Sequence, residues 1–211
     1  LKLFQPLLQI FSSVRSAESQ QKIVIFNFET LAAIPDISGS KFVFAHVISP
    51  HPPFVFDGNG NPMDIDYTFN FKDGNEFPGS KDEYKQGYVE QLQFVNRSLQ
   101  RTLSAIIKKS KIPPIIILQA DHGSGLLTDF TSSNNTCIME RFSPFAAYYL
   151  PGVDDYSIIA NASAVNTFRI IFNEYFEAEL PLLENRQYYY KNPMSFYEFE
   201  DVSSRVDDRC E

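Results

Sequence analysis

Between residues 84 and 106 the apolar positions fall three or four apart. Tyr84, Tyr88, Leu92, Val95, Leu99, Leu103 and Ile106 therefore share one helical face, and polar residues fill the rest of each turn. Just ahead of them Ser80 and Glu83 form an S-x-x-E capping box. The pattern predicts a helix from the capping box to about Ser110, with an apolar face about seven turns long. Two other stretches are apolar without a helical period. "KFVFAHVI" (41–48) and the run at 115–120 inside "PPIIILQADHGSG" read as strands buried on both faces. A strand, a helix and a second strand in this order predict a βαβ unit and a parallel sheet.

Farther along, "RFSPFAAYYL" (141–150) reads as a third strand, after a polar loop at 123–140. "SAVNTFRIIFNEYF" (163–176) reads as a helix with Val165, Phe168, Phe172 and Tyr175 on one face. The start, "LKLFQPLLQIFSSV", reads as part of an amphipathic helix, and "VIFNFETLAAIPDI" as a helix leading into the first strand. These elements predict an α/β fold, a mostly parallel sheet flanked by helices. A helical lead-in occupies 1–40, the α/β domain 41–180, and an irregular peripheral tail 181–211.

Two breaks carry their own information. The three prolines of "SPHPPF" (49–54) forbid helix and central strand alike. The stretch from 55 to 80, rich in Gly, Asn, Asp and Pro, is long for a loop within a compact domain, which marks it as a lid or a substrate-binding wall.

Composition narrows the class. A chain of 211 residues with 44% hydrophobic content has enough apolar material for a sizeable core. No run approaches the ~18 apolar residues that a membrane helix needs. A net charge of −8 argues against nucleic acid, and the basic "KKSK" at 108–111 complements the end of the helix dipole. Cys137 and Cys210 form one bridge or none, and their spacing matches no zinc motif. N-x-S/T triplets at Asn96, Asn134 and Asn161 are too short to carry weight.

Candidate chemistry gathers at the ends of the predicted strands, where open parallel sheets bind ligands. Asp121 and His122 follow the second strand directly, and His51 stands just past the first, so the three are expected on one rim. A carboxylate oxygen and an imidazole nitrogen are ordinary ligands for zinc or manganese, and Gly123 lets the backbone turn away behind them. In the blander alternative Asp121 caps a turn and His122 is merely exposed. Ser124 lies between two glycines, but the nucleophile elbow G-x-S-x-G is incomplete, because His122 and Leu126 occupy the outer positions. "GNGN" and "GSG" do not complete a dinucleotide fingerprint. His46, in mid-strand, reads as a core histidine or as a partner that orients another ligand.

Taken in order, "KFVFAHVISPHPPFVFD", "YKQGYVEQL", "PPIIILQADHGSG" and "RFSPFAAYYLPG" resemble the carboxyl half of the sulfatase-like branch of the alkaline phosphatase superfamily. The style is that of bacterial membrane-anchored enzymes such as lipoteichoic acid synthases and phosphoethanolamine transferases, and the match covers roughly residues 41 to 178. The resemblance implies an alkaline-phosphatase-like fold with its amino-terminal half outside this chain. It implies that Asp121 and His122 bind a divalent metal, zinc, manganese or calcium. It also implies that His51 is catalytic and substrate-binding, contacting the transferring group or assisting the leaving oxygen.

What the resemblance implies for activity is a metal-dependent hydrolase or transferase of phosphate or sulfate esters in the cell envelope. The substrate is then an anionic ester, the location the extracytoplasmic face of a bacterial membrane, and the anchor lies in segments outside these residues. The family's nucleophile has no match here, since Thr30 is one more polar position on the lead-in helix. The further histidine of two-metal members is absent, with Asn134 and Asn135 in that region. A chain lacking the nucleophile is expected to be inactive alone. The competing expectation is a non-catalytic sulfatase-like domain that binds an envelope polymer or a protein partner through 55–80.

Overall fold

The computed structural model describes residues 16–65, 68–160, 162–190 and 197–210. The apolar helix expected at the start of the chain lies outside these residues. Two compact units divide the chain, Leu1–Ile112 and Pro113–Glu211. No helix among the described residues is long and apolar enough to cross a membrane.

The first unit is built on two helices. Helix α1 (Ala17–Ala33) starts at Ser16, whose hydroxyl accepts the Ser19 N–H. Helix α2 (Lys81–Lys109) carries the expected capping box, with both Ser80–Glu83 bonds formed. All seven residues of the predicted α2 face are buried or half-buried. Val95 meets Val24 and Phe28 of α1, and Val55 and Phe56 complete this core. Gly87 belongs to the same face for a different reason. The Phe54 ring lies where a Cβ on Gly87 would sit, 2.4 Å from the nearest ring atom, so only glycine admits it.

Among its described residues the chain between the helices forms no sheet, and glutamine side chains satisfy several of its backbone groups instead. Gln91, 1% exposed, accepts the N–H groups of Val55 (2.7 Å) and Phe56 (3.3 Å) and donates to the His51 carbonyl at 3.2 Å. From α1, Gln20 donates to the Ile48 carbonyl, and Gln21 to the carbonyls of Val55 and Met63. Buried backbone groups need partners, and carboxamides offer a donor and an acceptor together.

Here the structure corrects the first expected strand. Residues 41–48 form no strand or helix, and Phe42 and Phe44 are 83% and 80% exposed. Val47 alone of the run packs on the core. A strand buried on both faces needs neighbours on either side. Unit one offers none among its described residues, only an isolated bridge between Phe56 and Pro62.

Among the described residues the second unit holds two small antiparallel sheets. Strand β1 (Ile116–Gln119) pairs with β2 (Ala146–Tyr149), with Ile116 opposite Tyr149 and Gln119 opposite Ala146. Strand β3 (Tyr188–Tyr190) pairs with β4 (Phe199–Asp201). The same unit contains helices α3 (Ile138–Arg141), α4 (Ser157–Ala160) and α5 (Ala164–Phe176). Leu150, Ile159, Ile170 and Ile171 form one core; Ile138, Tyr189 and Val202 form another.

Two expectations fail in this unit. The mostly parallel, alkaline-phosphatase-like sheet is not found, because every strand pair among the described residues is antiparallel. Strands do form within 115–120 and 141–150, but hydrophobicity does not encode direction, and they pair with each other. The tail beyond 181 is not wholly irregular or peripheral, since it supplies β3, β4 and the fully buried Val202. Helix α5 has its predicted limits, yet it buries Asn166, Thr167, Ile170 and Ile171 and leaves Val165, Phe168 and Phe172 exposed. The reason is polar. Asn166 donates to the Leu183 carbonyl and accepts the Leu183 N–H, so the asparagine face must turn inward.

Candidate functional site

Strand β1 delivers Asp121 and His122, as the sequence suggests. After Gln119 the Ala120 N–H still bonds to the Phe145 carbonyl, and the chain then leaves the sheet. Gly123 turns it back under α3, where its N–H donates to the Arg141 carbonyl at 2.8 Å. A Cβ at Gly123 would lie 1.8 Å from the Glu140 carbonyl oxygen, so this close approach requires glycine.

The two side chains converge. The His122 N–H donates to Asp121 Oδ1 at 3.1 Å, and His122 Nε2 lies 3.5 Å from Asp121 Oδ2. His122 Nδ1 contacts the Gly123 carbonyl at 2.7 Å. A carbonyl only accepts, so Nδ1 carries the proton and Nε2 is the nitrogen presented toward the carboxylate. That arrangement of imidazole and carbonyl fixes the tautomer in which Nε2 ligates a metal. The Asp121 side chain is 76% exposed, open to whatever approaches from solvent.

As a donor set the pair fits two positions of a divalent-cation site. Catalytic zinc sites draw about three ligands from the protein. Among the described residues no group of three or more His, Cys, Asp or Glu side chains is placed to hold a metal. Two donors alone would leave a divalent cation short of ligands.

His51 belongs to the first unit. The expected common rim rested on two parallel strands, and that basis is gone, since 41–48 is not a strand and β1 runs antiparallel to its neighbour. The His51 environment nevertheless repeats the pattern at His122. Nδ1 contacts the carbonyl of the next residue, Pro52, at 2.6 Å, and Nε2 faces a carboxylate, Asp73 Oδ2, at 3.9 Å. Asp73 is 5% exposed and accepts the Tyr84 hydroxyl at 2.7 Å. The rings of Phe54, Phe77 and Tyr88 pack around Tyr84, and the Phe71 ring lies 6.2 Å from that of His51.

Sequence reasoning missed Asp73 and Tyr84. "KDGN" has the composition of a turn, and Tyr84 counted only as an apolar member of the α2 face. An acid followed by glycine is a common turn signal, and nothing local distinguishes one that points inward.

The remaining candidates resolve plainly. His46 is exposed in an irregular segment, so it is no core histidine. The Ser124 hydroxyl accepts the Leu126 N–H at 3.1 Å, a turn-forming role. Thr30 is exposed on α1, and Asn134 is exposed. Asn135 donates to Asp129, whose carboxyl is held below the ordinary range by hydrogen bonds from Thr131 and then Asn135. Cys137 and Cys210 are joined in a disulfide, with Cα atoms 5.6 Å apart.

Comparison with known proteins adds no relative: no family model, no curated protein and no solved structure matches this chain.

Proposed function

We propose that this chain is part of a metal-dependent hydrolase or transferase acting on phosphate or sulfate esters of the cell envelope, on the extracytoplasmic side of a bacterial membrane. The observation that carries the reading is the convergence of Asp121 Oδ2 and His122 Nε2 at 3.5 Å, with the ring tautomer set by the Gly123 carbonyl. A divalent cation held there, zinc, manganese or calcium, supplies positive charge to the transferring group. Asp121 and His122 hold two of its positions. For His51, within its own unit, we propose a substrate-contacting or acid–base role. The nucleophile and the other ligands come from residues other than these three. The Cys137–Cys210 bridge supports an oxidising location, because cytosolic thiols are kept reduced.

A second reading is a non-catalytic domain that binds an envelope polymer through 55–80. It is favoured by Phe71, which leaves 43% of its surface exposed beside His51.

The test has two arms. Millimolar Mn²⁺ or Zn²⁺ raises the melting temperature of this chain, and His122→Ala abolishes the rise. The natural full-length gene product turns over an aryl phosphate or an aryl sulfate in a metal-dependent manner. Turnover of neither ester, with no metal-dependent shift in melting, overturns the enzyme reading in favour of the second.

A further inference from the structure

Asp73 occupies the N-cap position of a 3-10 turn, Gly74–Glu76, yet its side chain makes no capping bond. An aspartate at an N-cap ordinarily accepts a backbone N–H two or three residues on, which stabilises the turn. This one turns inward. Its Oδ1 accepts the hydroxyl of Tyr84, itself 2% exposed, and its Oδ2 faces His51 Nε2. Burying a carboxylate is costly unless something compensates, and the stability of a three-residue turn is a small return for it.

We infer that Asp73, anchored by Tyr84, is a positioning residue that sets the orientation of the His51 ring. The inference rests on the role given to His51 above. The ring is then fixed from two sides. The Pro52 carbonyl accepts a hydrogen bond from the Nδ1–H at 2.6 Å, and the Asp73 carboxylate faces the opposite nitrogen. At 3.9 Å the second contact is too long for a direct hydrogen bond, and it attracts the ring when Nε2 as well as Nδ1 carries a proton. Tyr84 is rooted in the first turn of α2, so the carboxylate refers His51 to the longest rigid element of its unit. The backbone of His51 is tied to the same helix through Gln91. Ring and main chain are thus held from two points about two turns apart on one face of α2. An acid–base group must lie within hydrogen-bond reach of its target, and small misplacements are costly, so this double anchoring matters for catalysis.

The experiment combines NMR on this chain with kinetics on the natural protein, using Asp73→Asn, which keeps the shape and an acceptor for Tyr84, and Tyr84→Phe, which removes only the hydroxyl. In the unaltered chain the His51 ring gives one set of signals, with a cross-peak to the Phe71 ring. Both variants retain their folded spectra, and in both the His51 signals broaden or split and that cross-peak weakens. In the natural enzyme Asp73→Asn lowers kcat about 10- to 100-fold with KM changed less than about twofold, a range typical of lost orienting partners. In a His51→Gln background the same change has no further effect. An unchanged His51 ring in both variants overturns the inference, as does an equal kinetic loss in the His51→Gln background. Absence of ester turnover in the unaltered enzyme overturns the proposed function instead, and the ring signals still decide the role of Asp73.

Discussion

Asn173 grips Leu180 at both of its backbone polar groups: the Leu180 N–H donates to Asn173 Oδ1 at 2.6 Å, and Asn173 Nδ2 donates to the Leu180 carbonyl at 2.9 Å. Asn166, two turns earlier on α5, holds Leu183 in the same way. Between them Arg169 donates to the Pro181 carbonyl at 2.8 Å. The segment after α5 is strapped along the helix by side chains as a strand is strapped by its neighbour. Asn173→Ala removes both bonds to Leu180, and a net loss of about 1–3 kcal/mol in stability is expected. Urea unfolding measures it. Asn173→Asp keeps the acceptor and loses the donor, so its midpoint lies between the two.

Gly123 is the close-approach position of the turn that carries Asp121 and His122. Gly123→Ala drives a Cβ into the Glu140 carbonyl, and backbone cannot move aside as a flexible side chain can. Destabilisation of about 1–3 kcal/mol is expected, in the range of overpacked positions. The same variant loses the metal-dependent rise in melting temperature, because the turn that sets Asp121 beside His122 has shifted. Gly152→Ala supplies the control. That glycine has φ +84 and nothing within 4 Å of where a Cβ would sit, so its cost is local backbone strain and the metal response survives.

The Cys137–Cys210 bridge closes a loop spanning 73 positions. In the chain-entropy account a loop of that length contributes about 4 kcal/mol by restricting the unfolded chain. Reductant, or the paired change of both cysteines to serine, is therefore expected to lower the denaturant midpoint markedly. Because Cys137 sits at the start of α3 beside the Ile138–Tyr189–Val202 core, protection of those amides from hydrogen exchange falls first.

What is legible in the sequence is local. The capping box at Ser80 and Glu83 and the stripe from Tyr84 to Ile106 locate α2, because both signals are written within a few turns of chain. The apolar runs at 115–120 and 141–150 locate two strands, and the ending of one on Asp121–His122 locates the pair that converges. Direction and partnership are not legible. Hydrophobic runs do not record whether a neighbour is parallel, and 41–48 has a strand's composition without a strand's neighbours. Helix α5 shows the opposite failure. Its phenylalanines have the period of a buried face, but two asparagines that need backbone partners decide which side turns inward. Asp73 escapes notice because a buried acid and a turn acid look alike until Tyr84 and His51 are placed beside it.

The glutamine clasp in the first unit has a consequence for how His51 responds to its surroundings. Carboxamides do not titrate and carry no net charge, so what Gln20, Gln21 and Gln91 hold is insensitive to acidification and to added salt. The histidine's main chain keeps its place across conditions that would loosen an ion-paired anchor.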